Sequence, residues 1–149
     1  MKINLSNYTW EEVKDLADLD PVILLPLGAF EQHGKHLPLK VDEFMVNKIA
    51  IESVNKSHDK NIKAVVAPVI WTGYSPHHMD FAGTISIKDE TLTNLIIDIV
   101  ESLVKNKLER ILILNGHGGN IAILKNVGQK LKYDKNIYYE TRITVFKCD

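Results

Sequence analysis

A single cysteine, Cys148, stands among 149 residues, which excludes an internal disulfide. No apolar run approaches the roughly 20 residues that span a bilayer. Stretches such as 22–25 are far shorter. Charge of one sign is also lacking, with 18 lysines and arginines against 19 aspartates and glutamates and a net charge of −1. Without a basic stripe or an acidic tail, nothing points to nucleic acid or to a membrane surface. Residues 1–6 hold no apolar stretch of the signal-peptide kind. Together these absences predict a cytoplasmic protein. Repeats, low-complexity tracts and linker-like stretches are missing too. The length suits one domain over residues 1–149, and 45% apolar composition suffices for a core.

What is there alternates in type. Thr9-Trp10-Glu11-Glu12 is a capping box opening a short helix to about residue 16. The run 21–27 is continuously apolar, the mark of a strand buried on both faces. Residues 42–55 predict a helix with Val46, Ile49, Ala50 and Val54 on one side. A second buried strand is expected over 64–70. The clearest helix covers 90–105, where Leu92, Leu95, Ile96, Ile99, Leu103 and Val104 keep a 3.6-residue period. A third strand follows at 110–114, a helix at 120–131 with Leu124, Val127 and Leu131 inward, and a β-rich stretch at 137–146. Strand and helix in alternation predict an α/β layered fold. Function in such sheets gathers beyond the carboxyl ends of the strands. That rule selects residues 28–41, 71–83 and 115–120, which hold every histidine except His58.

In the first loop, Glu31 and His33 lie two residues apart, so an extended backbone turns both side chains the same way. A converging carboxylate and imidazole grip Zn²⁺ or Mn²⁺. The plainer reading is a decorated surface loop. Asp42 either caps the following helix or returns to the same point as a bridging carboxylate. In the second loop, Trp71, Tyr74 and the glycines suit a pocket wall, yet an ordinary surface loop explains the residues as well. His77 and His78 are neighbours, and on an extended chain neighbours point apart. The third loop, Asn115-Gly116-His117-Gly118-Gly119-Asn120, joins a buried strand to a helix. Its glycines permit close backbone approach, and the amides opening the helix suit an oxyanion. It lacks the spacing of a dinucleotide fingerprint and the Lys-Ser/Thr of a phosphate loop.

The stretch Leu25-Pro26-Leu27-Gly28-Ala29-Phe30-Glu31-Gln32-His33-Gly34, with His36-Leu37-Pro38 and Asp42, resembles the opening motif of the creatininase (creatinine amidohydrolase) family. His78 with Phe81-Ala82-Gly83-Thr84-Ile85-Ser86 resembles its second motif, and residues 115–120 its third. The resemblance implies a three-layer α/β/α fold with a mostly parallel central sheet and two divalent metal ions (Zn, Mn or Fe). Glu31 and His117 would bind one ion, His33 the other, and Asp42 would bridge them. Amides of Gly118 and Gly119, with His78, would serve catalysis, and Ser75, His78, Gly83 and Thr84 would meet the substrate. It also implies a homo-oligomer, commonly a hexamer, acting on a small-molecule amide.

Two departures stand out. Where creatininase itself has a glutamate two residues after the histidine matching His117, this sequence has Gly119. That favours the branch ending in Gly-Gly-Asn. The branch takes its last carboxylate and a proton-donating histidine from a later segment that is not found before Asp149, so the chain is expected to lack its C-terminal portion. Glu140 is the one carboxylate near the last expected strand. The expected function is a metal-dependent hydrolase of a non-peptide C–N bond, a cyclic amide or a formamide, as in the archaeal-type formamide deformylase of riboflavin and deazaflavin biosynthesis. The alternative is a catalytically incomplete member serving as a binding or assembly subunit. A third reading, an unrelated α/β binding module, requires that Glu31, His33, Asp42 and His117 do not converge.

Overall fold

The computed structural model describes residues 1–134. The expected strand at 137–146, with Glu140, lies outside the described residues. Each strand of the sheet is built on a two-residue alternation that sorts its side chains between two faces. In β1 (Val22–Leu27), Ile23, Leu25 and Leu27 point to one core and Leu24 to the other. In β3 (Arg110–Asn115), Ile111 and Ile113 join the first core and Leu114 the second. β2 (Ala64–Val66) sends Val65 one way and Ala64 and Val66 the other. The strands run parallel in the order β2-β1-β3.

Helices cover both faces. α2 (Val41–His58) lays Val46, Ala50 and Val54 on one. α1 (Trp10–Ala17), α3 (Asp89–Lys105) and α4 (Ile121–Asp134) cover the other through Leu16, Ile96, Val100, Leu124, Val127 and Leu131. The three-layer parallel α/β/α arrangement is thus as expected. Each fully buried leucine or isoleucine contributes about 1.5–3 kcal/mol by leaving water. The capping box is present: the Glu12 amide donates to Thr9 Oγ1 at 3.3 Å, and the Thr9 amide to Glu12 Oε2 at 2.8 Å. No helix among the described residues is long and apolar enough to cross a membrane.

Three expectations shift. β2 ends at Val66 rather than continuing to Ile70. Pro68 has no N–H to give the ladder, and pairing resumes only where Ile70 meets Leu27. Leu95 is 37% exposed, while Ile97 and Val100 are buried. Leu95 lies off the edge of the stripe centred on Leu92, Ile96 and Val100. The helix expected from Asp42 begins at Val41, which puts Asp42 inside its first turn rather than at the cap. All three predicted loops leave the carboxyl ends of their strands on one edge of the sheet.

Candidate metal centre

Local chain geometry delivers the side chains to one point. At Gly28 an added Cβ would sit 2.6 Å from Glu43 Cα, so only glycine lets the end of β1 pass the first turn of α2. The first loop then closes on itself, with the Glu31 amide donating to Leu39 O at 3.1 Å. The second loop is stitched to the first, the Ile85 amide donating to Phe30 O at 3.0 Å. Fully buried Asn120 ties all three loops together. Its Oδ1 accepts the Tyr74 amide at 2.9 Å, and its Nδ2 donates to Gly28 O at 3.0 Å and to Asn115 Oδ1 at 3.2 Å.

Glu31, Asp42 and His117 are buried together, 5%, 9% and 6% exposed. His117 Nδ1 lies 3.0 Å from Asp42 Oδ2 and 3.4 Å from Glu31 Oε1. His33 Nε2 lies 3.0 Å from Asp42 Oδ1. Asp42 therefore turns one oxygen to each histidine. Ligand atoms of Glu31, His33 and Asp42 all lie within 4.8 Å of one another, as do those of Glu31, His77 and His117. The reading as an unrelated module with scattered histidines fails on these distances.

Backbone carbonyls decide which ring nitrogens face the carboxylates. His33 Nδ1 lies 3.1 Å from Glu31 O, and a carbonyl only accepts, so Nδ1 carries the proton. His117 Nε2 lies 3.1 Å from Tyr74 O and carries its proton for the same reason. In the neutral rings, the lone pairs at His33 Nε2 and His117 Nδ1 then point at carboxylate oxygens. Such pairs repel unless a cation lies between them. Glu31 Oε2 is buried with no hydrogen-bond partner among the described residues, although buried acceptors are normally satisfied. Imidazole nitrogens, carboxylate oxygens and an orphaned oxygen around one spot fit a divalent cation such as Zn, Mn or Fe. Carbonyls orienting the rings from behind are the usual support of metal-binding histidines.

Without a metal, His117 holds a proton more readily than a free imidazole does. Burial pushes the His117 pKa down, but the Asp42 hydrogen bond, the Glu31 and Asp42 charges and the Tyr74 carbonyl outweigh it, and the net shift is upward. The His77 ring stacks on the same imidazole at 6.0 Å. A raised folded pKa gives stability that is complete below the ordinary value of 6.5 and lost as pH climbs through the folded value. In chelator, the melting temperature should therefore fall as pH rises above about 6.5. Metal saturation should reverse the trend, because ligands bind deprotonated. Melts across pH with and without chelator check both signs.

A cavity of about 510 Å³ opens over the cluster. Val41, Met45, Ile49 and Ile121 form an apolar wall, and Gly118, Gly119 and His77 another part of the lining. Ile49 thus borders the cavity rather than the core. A Cβ on Gly118 would meet nothing within 4 Å, whereas one on Gly119 would sit 2.5 Å from His117 Nε2 and closer still to Tyr74 O. Other expected residues do not line the cavity. Ser75 is 0% exposed, beneath His117, with Oγ 3.3 Å from Nε2. Gly83 takes φ 88° in an exposed turn. Thr84 Oγ1 donates to His78 O at 2.8 Å. His78 Nε2 is 3.6 Å from Glu31 Oε1. His77 was missed as a site residue because residues 76–78 form a 3-10 turn rather than extended chain. The two adjacent rings therefore lie 4.3 Å apart instead of pointing away. Ser75-Pro76, a turn-initiating pair, was the available signal.

A parallel α/β/α sandwich with a buried carboxylate–imidazole cluster at the carboxyl edge of its sheet defines an α/β protein with a candidate metal centre. The creatininase family model, described as creatinine amidohydrolase, matches residues 6–148, and the chain belongs to that family. It is 36% identical over 124 residues to the mycofactocin precursor peptide peptidase of Mycolicibacterium smegmatis, covering 81% of this chain and 49% of that one. It is 33% identical over 118 residues to the creatinine amidohydrolase of Pseudomonas putida, covering 75% and 44%. With the 3-dehydro-scyllo-inosose hydrolase of Thermotoga maritima it shares 28% identity over 116 residues, covering 77% and 36%. A solved structure described as "Creatininase Mn" superposes with a TM-score of 0.81 at 25% identity, covering 96% of this chain and 58% of that one. A mutant creatininase of "Zn-Zn type" gives 0.80 at 26% identity, with the same coverage. The chain spans about half the length, or less, of the curated relatives it matches.

Proposed function

We propose that this protein is a metal-dependent amidohydrolase that cleaves the C–N bond of an amide. The observation that carries the reading is the convergence of Glu31, His33, Asp42 and His117, with ring lone pairs aimed at carboxylates and Glu31 Oε2 left without a partner. Glu31 and His117 would hold one divalent ion with His77, His33 would hold a second, and Asp42 would serve both. The ions would supply Lewis acidity, polarising a carbonyl and making water easier to deprotonate.

The chain's own groups do the rest. Carbonyls of Glu31 and Tyr74 keep the lone pairs of His33 and His117 turned inward. Amides of Gly118 and Gly119, two residues of the cavity lining, would hold a developing oxyanion. The apolar wall of α2 keeps water away from the rest of the substrate. Ser75 supports His117, and Gly83 and Thr84 shape the turn that holds His78, so we assign these three to positioning rather than to substrate contact.

The names of the relatives mention a peptide, creatinine and an inosose, and none a formamide. The proposal therefore covers peptide as well as cyclic amides, where the sequence led to a non-peptide C–N bond, and does not single out a formamide deformylase. Exposed Trp71, Met79, Phe81 and Ile85 on the second loop support self-association of the kind the family resemblance implies.

Metal analysis and an amide panel test the proposal. Purified full-length chain should take up Zn or Mn and hydrolyse a dipeptide amide or a lactam. Absence of bound metal would overturn the site, and metal without turnover of any amide would overturn the activity.

A further inference from the structure

Gln32 is not a candidate ligand, yet both ends of its side chain are engaged. Oε1 accepts the Gly34 backbone N–H at 2.8 Å. A backbone N–H only donates, so this bond establishes which end of the amide is oxygen. The other end, Nε2, carries N–H and lies 3.3 Å from His78 Nδ1. Nδ1 must therefore accept. The His78 proton then sits on Nε2, which faces Glu31 Oε1 at 3.6 Å. The histidines around Glu31 thus have two opposite settings. His33 and His117 present lone pairs to the carboxylates, whereas His78 presents an N–H.

The His78 ring is held in place from its own backbone. Its carbonyl accepts Thr84 Oγ1–H at 2.8 Å and the Phe81 amide at 3.0 Å. The Phe81 ring meets it edge-on at 5.8 Å. Glu31 is correspondingly asymmetric. Oε1 faces His78 and His117, while Oε2 is buried with no partner among the described residues.

We infer that Gln32 is a positioning residue that sets the tautomer of His78, so that His78 turns an N–H rather than a lone pair toward Glu31 Oε1, 3.6 Å away, while Oε2 is open to a metal ion. The inference rests on the reading of Glu31 as a ligand. It adds a relay, Gly34 N–H to Gln32 to His78 to Glu31, in which each link fixes the direction of the next. Outer partners of this kind orient a ligand without touching the ion.

Two readouts on the full-length chain test it. Imidazole ¹⁵N spectra of metal-free protein at mildly alkaline pH report the tautomer, and chelator competition reports zinc affinity. Wild type should show His78 protonated on Nε2. Gln32→Glu still accepts from Gly34 but offers Nδ1 an acceptor, so the His78 proton should move to Nδ1. Zinc affinity should then fall about 10–100-fold. Gln32→Leu, which removes the donor alone, should also weaken zinc binding, with circular dichroism unchanged. In a His78→Gln background a side-chain amide gives Glu31 its N–H whatever residue 32 is. There, Gln32→Glu should change affinity less than about twofold, because the coupling between the two sites is gone. Wild-type His78 protonated on Nδ1, or zinc affinity unchanged in both Gln32 variants, overturns the role while the metal site stands. A wild type that binds no zinc overturns the metal site and the role with it.

Discussion

A His117→Ala variant is expected to lose zinc affinity by well over the roughly 10–100-fold that removal of an outer partner costs. His117 Nδ1 faces both carboxylates, at 3.0 Å from Asp42 and 3.4 Å from Glu31. Its loss removes a nitrogen shared between them. It also leaves Tyr74 O without the ring N–H that it accepts. His33 does not replace the ligand readily, because its Nδ1 is committed to Glu31 O and its Nε2 already meets Asp42 on the far side. Calorimetric titration with zinc measures the loss. His36→Ala is the control. His36 is exposed and outside the cluster, so its removal should leave zinc binding intact and change stability by no more than about 0.5 kcal/mol. Equal zinc affinity in His117→Ala and wild type would remove His117 from the site.

Asn120→Asp is expected to destabilise the fold by about 3–5 kcal/mol, the cost of an uncompensated buried charge. The two side chains have nearly the same shape, so packing is not what changes. The wild-type amide donates to Gly28 O and Asn115 Oδ1. A carboxylate would put a charged acceptor against those two acceptors at a site with 0% exposure. Asn120→Ala should cost less, about 1–3 kcal/mol for the unpaired groups it leaves. Total stability of a domain this size is about 5–15 kcal/mol, so the aspartate variant should lie near unfolding. Urea denaturation distinguishes the two. If aspartate costs no more than alanine, donation by Asn120 does not hold the loops together. Because Asn120 binds one loop to the other two, its aspartate variant should also weaken metal binding.

Elements with strong local patterns were legible directly. The capping box at Thr9 and Glu12, the apolar run of β1 and the inward face of α4 match the structure because each depends on residues within a turn or two of one another. Boundaries that depend on a neighbour were less legible. Pro68 breaks a ladder whose partner is β1, and a scan for apolar runs does not register a missing donor. Leu95 keeps the helical period, but where α3 meets the rest of the core decides that Ile97 is covered and Leu95 is not. Within the site, Asp42 had two readings on sequence. The start of α2 at Val41 excludes the cap, and the contacts to His33 and His117 support the other reading.

The sequence by itself determined the alternation of strands and helices, the three loops at one sheet edge and the residue types that gather there. Hydrophobic period, glycine spacing and motif order are all local, and local information survives in a linear chain. Only the tertiary structure decided which atoms face which. Whether a histidine offers a lone pair or an N–H depends on what its other nitrogen meets. For His33 that is Glu31 O, for His117 it is Tyr74 O, and for His78 it is Gln32 Nε2. Two of those three partners come from another loop, and two are carbonyls that every residue possesses. The entry of His77 into the site has the same origin, in a 3-10 turn whose neighbouring rings lean together where an extended chain would have parted them.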